Sequence, residues 1–331
     1  MSEIPVLDAG SLYGGDTPER RALDAAIQRA ATRAGFMTLR GLPGPVRLTP
    51  GQRDRLLRVL DLPEASKCRL YRQRYAAGNP NRYRGLAPLR PEEGIGTESI
   101  EFGADAVEPA GRGDPADLLC EPSAWPAESE LPGWRAELSR VFAAFESLGL
   151  AVVASLERGL GLEEGRLGRC FDRGNSTLRI VRHPGPGELP PAVARALALD
   201  GEGPEGRLQL VLPHSDSGCV TFVSQDATRG LEARAHDGRW VAVPAPEGAL
   251  AVNFGHLLEL WTGGAIRATE HRVVGTACRR SSIPFFLEPA VDAWIEPLPG
   301  ADFEPVRYGD YVWDRMRKFP DYENLGERRA S

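Results

Sequence analysis

The chain has 331 residues, 42% of them hydrophobic and 26% charged, with a formal net charge of −6. That length supports one large or two smaller domains with a sizeable core, and the composition is that of an ordinary globular protein. The acidic balance argues against a general binder of nucleic acid or of anionic membrane, and no apolar run of transmembrane length is read.

In chain order, the first hundred residues read as an α/β cap. Ile4-Pro-Val-Leu7 is a short strand. Thr17 before Pro18 supplies an N-cap and a first-turn proline, and Leu23, Ala26, Ile27, Ala30 and Ala31 follow at helical spacing. Gly35 ends that helix, and Phe36-Met-Thr-Leu39 is a strand. Thr49-Pro50 opens a second helix with Leu56, Leu57 and Leu60 on one face. Residues 67–84 interleave Lys67, Arg69, Arg72, Arg74, Arg82 and Arg84 with Tyr71, Tyr75 and Tyr83. Such a mixture can mark a nucleic-acid surface. On an acidic protein it reads better as a solvated face with salt bridges. Residues 90–121 are acidic and rich in Gly and Pro, a meandering connection. Over 132–159, Trp134, Leu138, Val141, Phe145, Leu148, Val152 and Leu156 recur at steps of four or three, the stripe of a core helix backing a sheet.

A β core follows. Residues 176–183 read as a strand after the turn Gly174-Asn175. Leu208, Leu210 and Leu212 alternate into His214. Val220-Thr-Phe-Val223 precedes a hairpin through His236-Asp-Gly238 to Trp240-Val-Ala-Val243, and residues 248–253, 271–274 and 282–286 complete the set. Several short strands at regular spacing suggest a β-sandwich or barrel. Residues 308–325 read as a helical tail, with Tyr311, Trp313, Met316 and Phe319 as its larger apolar residues. The connection 185–207 is longer than a barrel needs. It carries the short helical patch Ala192-Val-Ala-Arg-Ala-Leu197 and is either a lid or a surface excursion.

Chemistry concentrates between Pro213 and Pro289. His214 and Asp216 are two apart, so on a strand both side chains share a face. His271 lies far enough beyond for several strands to run out and back. Two imidazoles and one carboxylate on one face of a metal form the facial triad of non-heme Fe(II) oxygenases, with coordination positions left open. Arg280 and Ser282 share a face of a later strand, and an arginine fork with a hydroxyl suits the far carboxylate of a dicarboxylic acid. Five cysteines (Cys68, Cys120, Cys170, Cys219, Cys278) without a CxxC read as reduced thiols. Cys219 and Cys278 fall near the motif residues, where packing is the expected role. With a short polar start, Met-Ser-Glu-Ile-Pro, a cytoplasmic location is expected.

The ordered set His214-x-Asp216, His271-Arg272-Val273 and Arg280-x-Ser282 with Ile-Pro-Phe-Phe behind it resembles the Fe(II)- and 2-oxoglutarate-dependent dioxygenases of the isopenicillin N synthase-like group. Asn79-Pro-Asn-Arg-Tyr-Arg-Gly85, the Asp237-Gly238-Arg239-Trp240 turn and Trp261-Thr-Gly-Gly264 extend the likeness over nearly the whole chain. The resemblance implies a double-stranded β-helix, a jelly roll, preceded by an N-terminal α/β region over 1–120. The catalytic region, backing helix and tail occupy 121–331, all in one compact unit. It implies Fe(II) on His214, Asp216 and His271, with 2-oxoglutarate and dioxygen as cosubstrates. The C5 carboxylate of 2-oxoglutarate would pair with Arg280 and Ser282. Hydroxylation of a small molecule, coupled to decarboxylation to succinate and carbon dioxide, is the default outcome, with desaturation or cyclisation as variants. Tyr83, Arg84, Phe102 and Phe286 become candidates for the substrate pocket.

Two positions depart from the family pattern. His183-Pro184 stands where Tyr-Pro is usual, so His183 is a candidate for touching the cosubstrate from a ring nitrogen. Asn253-Phe-Gly-His256 stands where Gly-Asp is usual, and His256 reads as structural, not as a fourth ligand. His236 sits in a hairpin and is expected to be exposed. Two other functions fit the residues. One is a 2-oxoglutarate-independent Fe(II) oxidase of the isopenicillin N synthase type, with Arg280 and Ser282 gripping the substrate carboxylate. The other is a non-catalytic jelly roll, which unpaired buried His and Asp would make costly. Neither the substrate nor the oligomeric state is readable.

Overall fold

The computed structural model describes residues 4–90, 96–199, 206–275, 279–318, 322, 325 and 328. Two sheets face each other. The larger has eight strands in the order β1 (Val6–Asp8), β2 (Phe36–Arg40), β10 (Leu250–Phe254), β7 (Val220–Gln225), β12 (Arg280–Leu287), β5 (Thr177–His183), β4 (Glu98–Phe102) and β3 (Leu86–Ala87). The smaller has four, in the order β6 (Leu208–His214), β11 (His271–Gly275), β8 (Leu231–Arg234) and β9 (Trp240–Ala242). A separate ribbon pairs β13 (Trp294–Ile295) with β14 (Val306–Arg307). Apart from β1 beside β2, all the strand pairs are antiparallel. The N-terminal strands are thus the two flanks of the sheet that carries the later motif strands. This is the jelly-roll architecture expected, with the α/β cap built into it.

Helices cover the outer face of the larger sheet. α1 (Pro18–Arg33) starts where Thr17 accepts a hydrogen bond from the Arg20 amide, and it buries Leu23, Ile27, Ala30 and Ala31. It stops at Gly35, whose φ of +63° is left-handed and where a Cβ would lie 2.5 Å from the Arg267 carbonyl oxygen. α2 (Pro50–Leu57) opens on a full capping box between Thr49 and Gln52. The short α3 (Glu64–Lys67) follows. α4 (Trp134–Leu160) spans 27 residues and is the backing helix. By length and composition alone it could cross a membrane, contrary to the first reading. Here its apolar stripe is buried against the sheet, with Phe142 and Phe145 packed on Phe285. α5 (Pro191–Leu197), α6 (His256–Trp261) and α7 (Tyr308–Met316) complete the set.

Alternation along the strands divides the core in two. Met37, Leu39, Ile100, Phe102, Leu178, Ile180, Phe222, Val252, Ile283 and Phe285 face outward to the helices. A smaller cluster between the sheets gathers Phe36, Leu208, Leu210, Leu231, Ala233, Ala251 and Val273. Leu189 and Ala194 belong to this inner cluster, so that part of the 185–207 connection packs between the sheets. The polar inward positions lie toward the other end, and they make the site.

Candidate active site

His214 ends β6 and pairs directly across the smaller sheet with His271, which begins β11. The two ring centroids are 4.3 Å apart. Asp216 is not on the strand, as the sequence reading had placed it, but in the turn leading to β7. It returns to the same point because Thr221 on β7 and Asn253 on β10 both donate to its Oδ2, the latter at 2.7 Å. The potential ligand atoms of His214, Asp216 and His271 lie within 4.8 Å of one another.

The electrostatics of this cluster call for a cation. The Nδ1 of His214 lies 2.9 Å from the Leu212 carbonyl and that of His271 lies 3.2 Å from the Thr269 carbonyl. A carbonyl only accepts, so each Nδ1 carries a proton and each Nε2 is the atom turned toward Asp216. Both Nε2 atoms stand 3.6 Å from Asp216 Oδ1. Burial holds the His271 ring below its usual pKa, and Asp216 stays below the usual carboxylate range. Burial there is outweighed by the two imidazoles and the two hydrogen bonds. Two imidazoles and a carboxylate converging on one point are the donor set of a metal.

Arg280, at the start of β12, sits opposite His183 of β5, and Ser282 sits opposite Gln225 of β7. Arg280 is buried; its Nε donates to the Arg229 carbonyl at 2.5 Å and its Nη2 to Gln225 Oε1 at 3.2 Å. Its Nη1 and the Nδ1 of His183 are buried without a hydrogen-bond partner among the described residues. Burial, then the neighbouring Arg280, pushes His183 down to about 3, so its ring is neutral. An orphaned guanidinium nitrogen beside a neutral imidazole is a site for a carboxylate.

On the opposite side of the triad opens a cavity of about 250 Å³ that reaches His214 and Asp216. Tyr83 and Phe286 line it, as expected. Arg84 and Phe102 do not. Arg84 is 1% exposed and spans from Thr177 Oγ1 to Asn175 Oδ1, behind the wall. Phe102 faces outward and packs on Trp125 and Trp134; its neighbour Glu101 is the one turned to the cavity. Arg72 is likewise buried and ion-paired with Glu101, so the basic stretch is only partly a solvated face. Sequence reading missed Glu101, Thr177, Arg179 and Glu288, and the tail residues Tyr308, Val312, Met316 and Tyr322. Strand parity carried the signal for the first four, and the i, i+4, i+8 spacing of Tyr308, Val312 and Met316 for the tail. No described residue of the 185–207 connection lines this cavity. His256 stands outside the triad, its Nδ1 2.9 Å from the Tyr311 hydroxyl, and His236 is exposed. Cys219 is buried and free, while Cys278 and Phe319 lie outside the described residues.

The family model of the 2OG-Fe(II) oxygenase superfamily matches residues 195–289. A 2-oxoglutarate-dependent dioxygenase of Gibberella zeae is 31% identical over 281 residues, covering 83% of this chain and 68% of that protein. The chain belongs to the 2-oxoglutarate-dependent dioxygenases. Validamycin A dioxygenase of Streptomyces hygroscopicus subsp. limoneus is 29% identical over 327 residues, covering 93% of this chain and 84% of its own. In fold, a full-length Neurospora crassa protein crystallised with alpha-KG superposes with a TM-score of 0.76 at 24% identity over 95% of each chain. Fe(II) and 2-oxoglutarate are therefore this dioxygenase's metal and cosubstrate. The relatives are named for 2-oxoglutarate dependence, so the cosubstrate-independent oxidase is not favoured.

Proposed function

We propose that His214, Asp216 and His271 hold the Fe(II), and that Arg280, Ser282 and His183 receive the C5 carboxylate of 2-oxoglutarate. The enzyme then hydroxylates a small organic molecule seated in the cavity beside the triad. The observation that carries this reading is the triad itself, with three lone-pair donors converging within 4.8 Å at the mouth of that cavity. When bound, the iron and its cosubstrate supply the oxidising power that no side chain offers. The chain's own part is positional. The Leu212 and Thr269 carbonyls set the imidazole tautomers, and Thr221 and Asn253 orient Asp216. The orphaned Arg280 Nη1 and Ser282 fix the far end of the cosubstrate, and the apolar wall of Phe286, Val312 and Met316 keeps water from the reacting carbon. A small substrate is supported by relatives named validamycin A dioxygenase and gibberellin 20 oxidase 2. The Neurospora protein has also been crystallised with thymine.

The test needs no substrate. Without oxygen, Fe(II) followed by 2-oxoglutarate should give the weak visible charge-transfer band of the chelated cosubstrate, and Arg280→Ala should weaken it at equal cosubstrate concentration. Fe(II) binding with no band in the wild type would refute the placement of the cosubstrate. Failure to bind Fe(II) would refute the triad.

A further inference from the structure

Besides Asp216 and the ion-paired Glu101, the cavity beside the triad contains a carboxyl that none of these roles uses. Glu288 follows the end of β12, on the inward parity of Arg280, Ser282, Pro284 and Phe286. Tyr308 donates from its hydroxyl to Glu288 Oε2 at 2.7 Å. The other oxygen lies against Gly218, where an added Cβ would sit 1.8 Å from Oε1. Gly218 is two residues past Asp216, so the carboxyl stands on the substrate side of the triad.

Other buried carboxyls are provided for differently. Asp24 is paired with Arg158, Glu101 with Arg179 and Arg72, and Asp117 with Arg328. Asp105 accepts from the Ser123 amide and hydroxyl and from the Trp125 indole, and Glu157 accepts from the amides of Gly165, Leu167 and Gly168. Among the described residues Glu288 has no ion-pair partner, and its donors are the Tyr308 hydroxyl and the Cys219 backbone. Burial pushes it up to about 8, so in the empty pocket it is largely protonated near neutrality. The cation that does reach the cavity, Arg179, is committed to Glu101 and lies over the Phe286 ring. The wall also carries Asn175, Thr177 and the paired Glu101 and Arg179, so among its described groups outside the triad Glu288 is the carboxyl without a cation, and its complement is a positively charged donor.

We propose that Glu288 determines substrate specificity by forming an ion pair with a protonated amine, so that the substrates of this dioxygenase are small amines with an apolar body. The proposal rests on the triad being the oxidising centre. Holding the amine at Glu288 would fix which carbon of the substrate faces the metal.

Calorimetric titration of the Fe(II)-loaded protein with 2-oxoglutarate, without oxygen and at neutral pH, would compare benzylamine with benzyl alcohol. These probes share one frame and differ in charge. The wild type should bind the amine at least about tenfold more tightly, the effect of one charge-assisted hydrogen bond. Glu288→Gln, nearly isosteric, should bring the two within about twofold. Equal binding by the wild type, or a preference that survives in Glu288→Gln, overturns the proposal. Should Glu288→Gln not fold, the wild-type comparison still decides, since an amine bound no more tightly than the alcohol is sufficient refutation. The charge-transfer band recorded before any probe reports on the triad and cosubstrate separately. A missing band thus counts against the centre, while the probe titration judges Glu288.

Discussion

Asn253 shows how much of the metal site lies outside its ligands. It is buried on β10, a strand that supplies no ligand, and its amide donates to the Asp216 oxygen that also takes Thr221. Replacing Asn253 by Leu leaves all three ligand residues in place yet frees the carboxylate to rotate. Fe(II) affinity should fall about 10- to 100-fold, read by competition with a chelating indicator. His271→Ala removes a ligand outright and should abolish stoichiometric binding. Equal affinities for Asn253→Leu and the wild type would reduce Asn253 to a strand filler. The proposed ligands could be singled out in the sequence because histidine is rare, with five in the chain, and each stood beside a strand pattern. Asn253 was flagged only as a departure from a motif. Phe102 was a pocket candidate by the family resemblance alone, and strand parity turns it the other way. In β4 the apolar parity, Ile100 and Phe102, faces the helices, while Ser99 and Glu101 face inward.

At the scale of elements, α4 was readable nearly to its ends, since its stripe runs unbroken and Gly161, in left-handed conformation, closes it. The larger sheet's strand order was not readable, because β2 reaches β10 and β12 reaches β5 across long stretches of chain. The junction of helix and sheet is a stack of Phe142, Phe145, Phe222 and Phe285. Phe145 is fully buried, and Phe145→Ala should cost about 3–5 kcal/mol of stability, measured by urea denaturation. A loss below about 1 kcal/mol would mean that the sheet does not depend on this helix. Gly149 lies on the same face, where a Cβ would meet Leu287 Cδ1 at 2.7 Å, so the helix has no room to gain even a methyl there.

Across the whole molecule, the buried His183 and the half-buried Glu288 bracket the pH range of the metal-free protein. His183 has a folded value of about 3, below its ordinary 6.5. Between those values the unfolded chain binds the extra proton, so stability falls as the pH drops from about 6.5 toward 3. Glu288 is raised to about 8 from 4.5. Here the folded chain holds the proton and stability falls as the pH rises from about 4.5 toward 8. Each slope is at most about 1.4 kcal/mol per pH unit. Thermal denaturation of the apoprotein should therefore show a shallower acid-side slope in His183→Gln and a shallower neutral-to-alkaline slope in Glu288→Gln. Unchanged profiles in both variants would show that neither group titrates as its surroundings demand. The tail joins this whole-molecule arrangement through ionic contacts. Arg328 pairs with Asp117 and Asp310, and the Tyr322 hydroxyl stands 3.4 Å from Glu101. Such tethers leave little periodic signal in a sequence, and so the pocket's C-terminal wall was only partly foreseen.

The inward face of β12 carries the proposed cosubstrate anchor, Arg280 and Ser282, at one end and, with Glu288 just past its last residue, cavity-lining residues at the other. That arrangement constrains how the enzyme can diverge. A single inserted or deleted residue in β12 would exchange Phe286 and Glu288 with the core-facing Phe285 and Leu287, disabling recognition and folding together. A descendant of this protein seeking a new substrate therefore changes side chains at positions such as 286 and 288, at the cavity positions of other strands or in the tail, while the length of β12 is inherited intact.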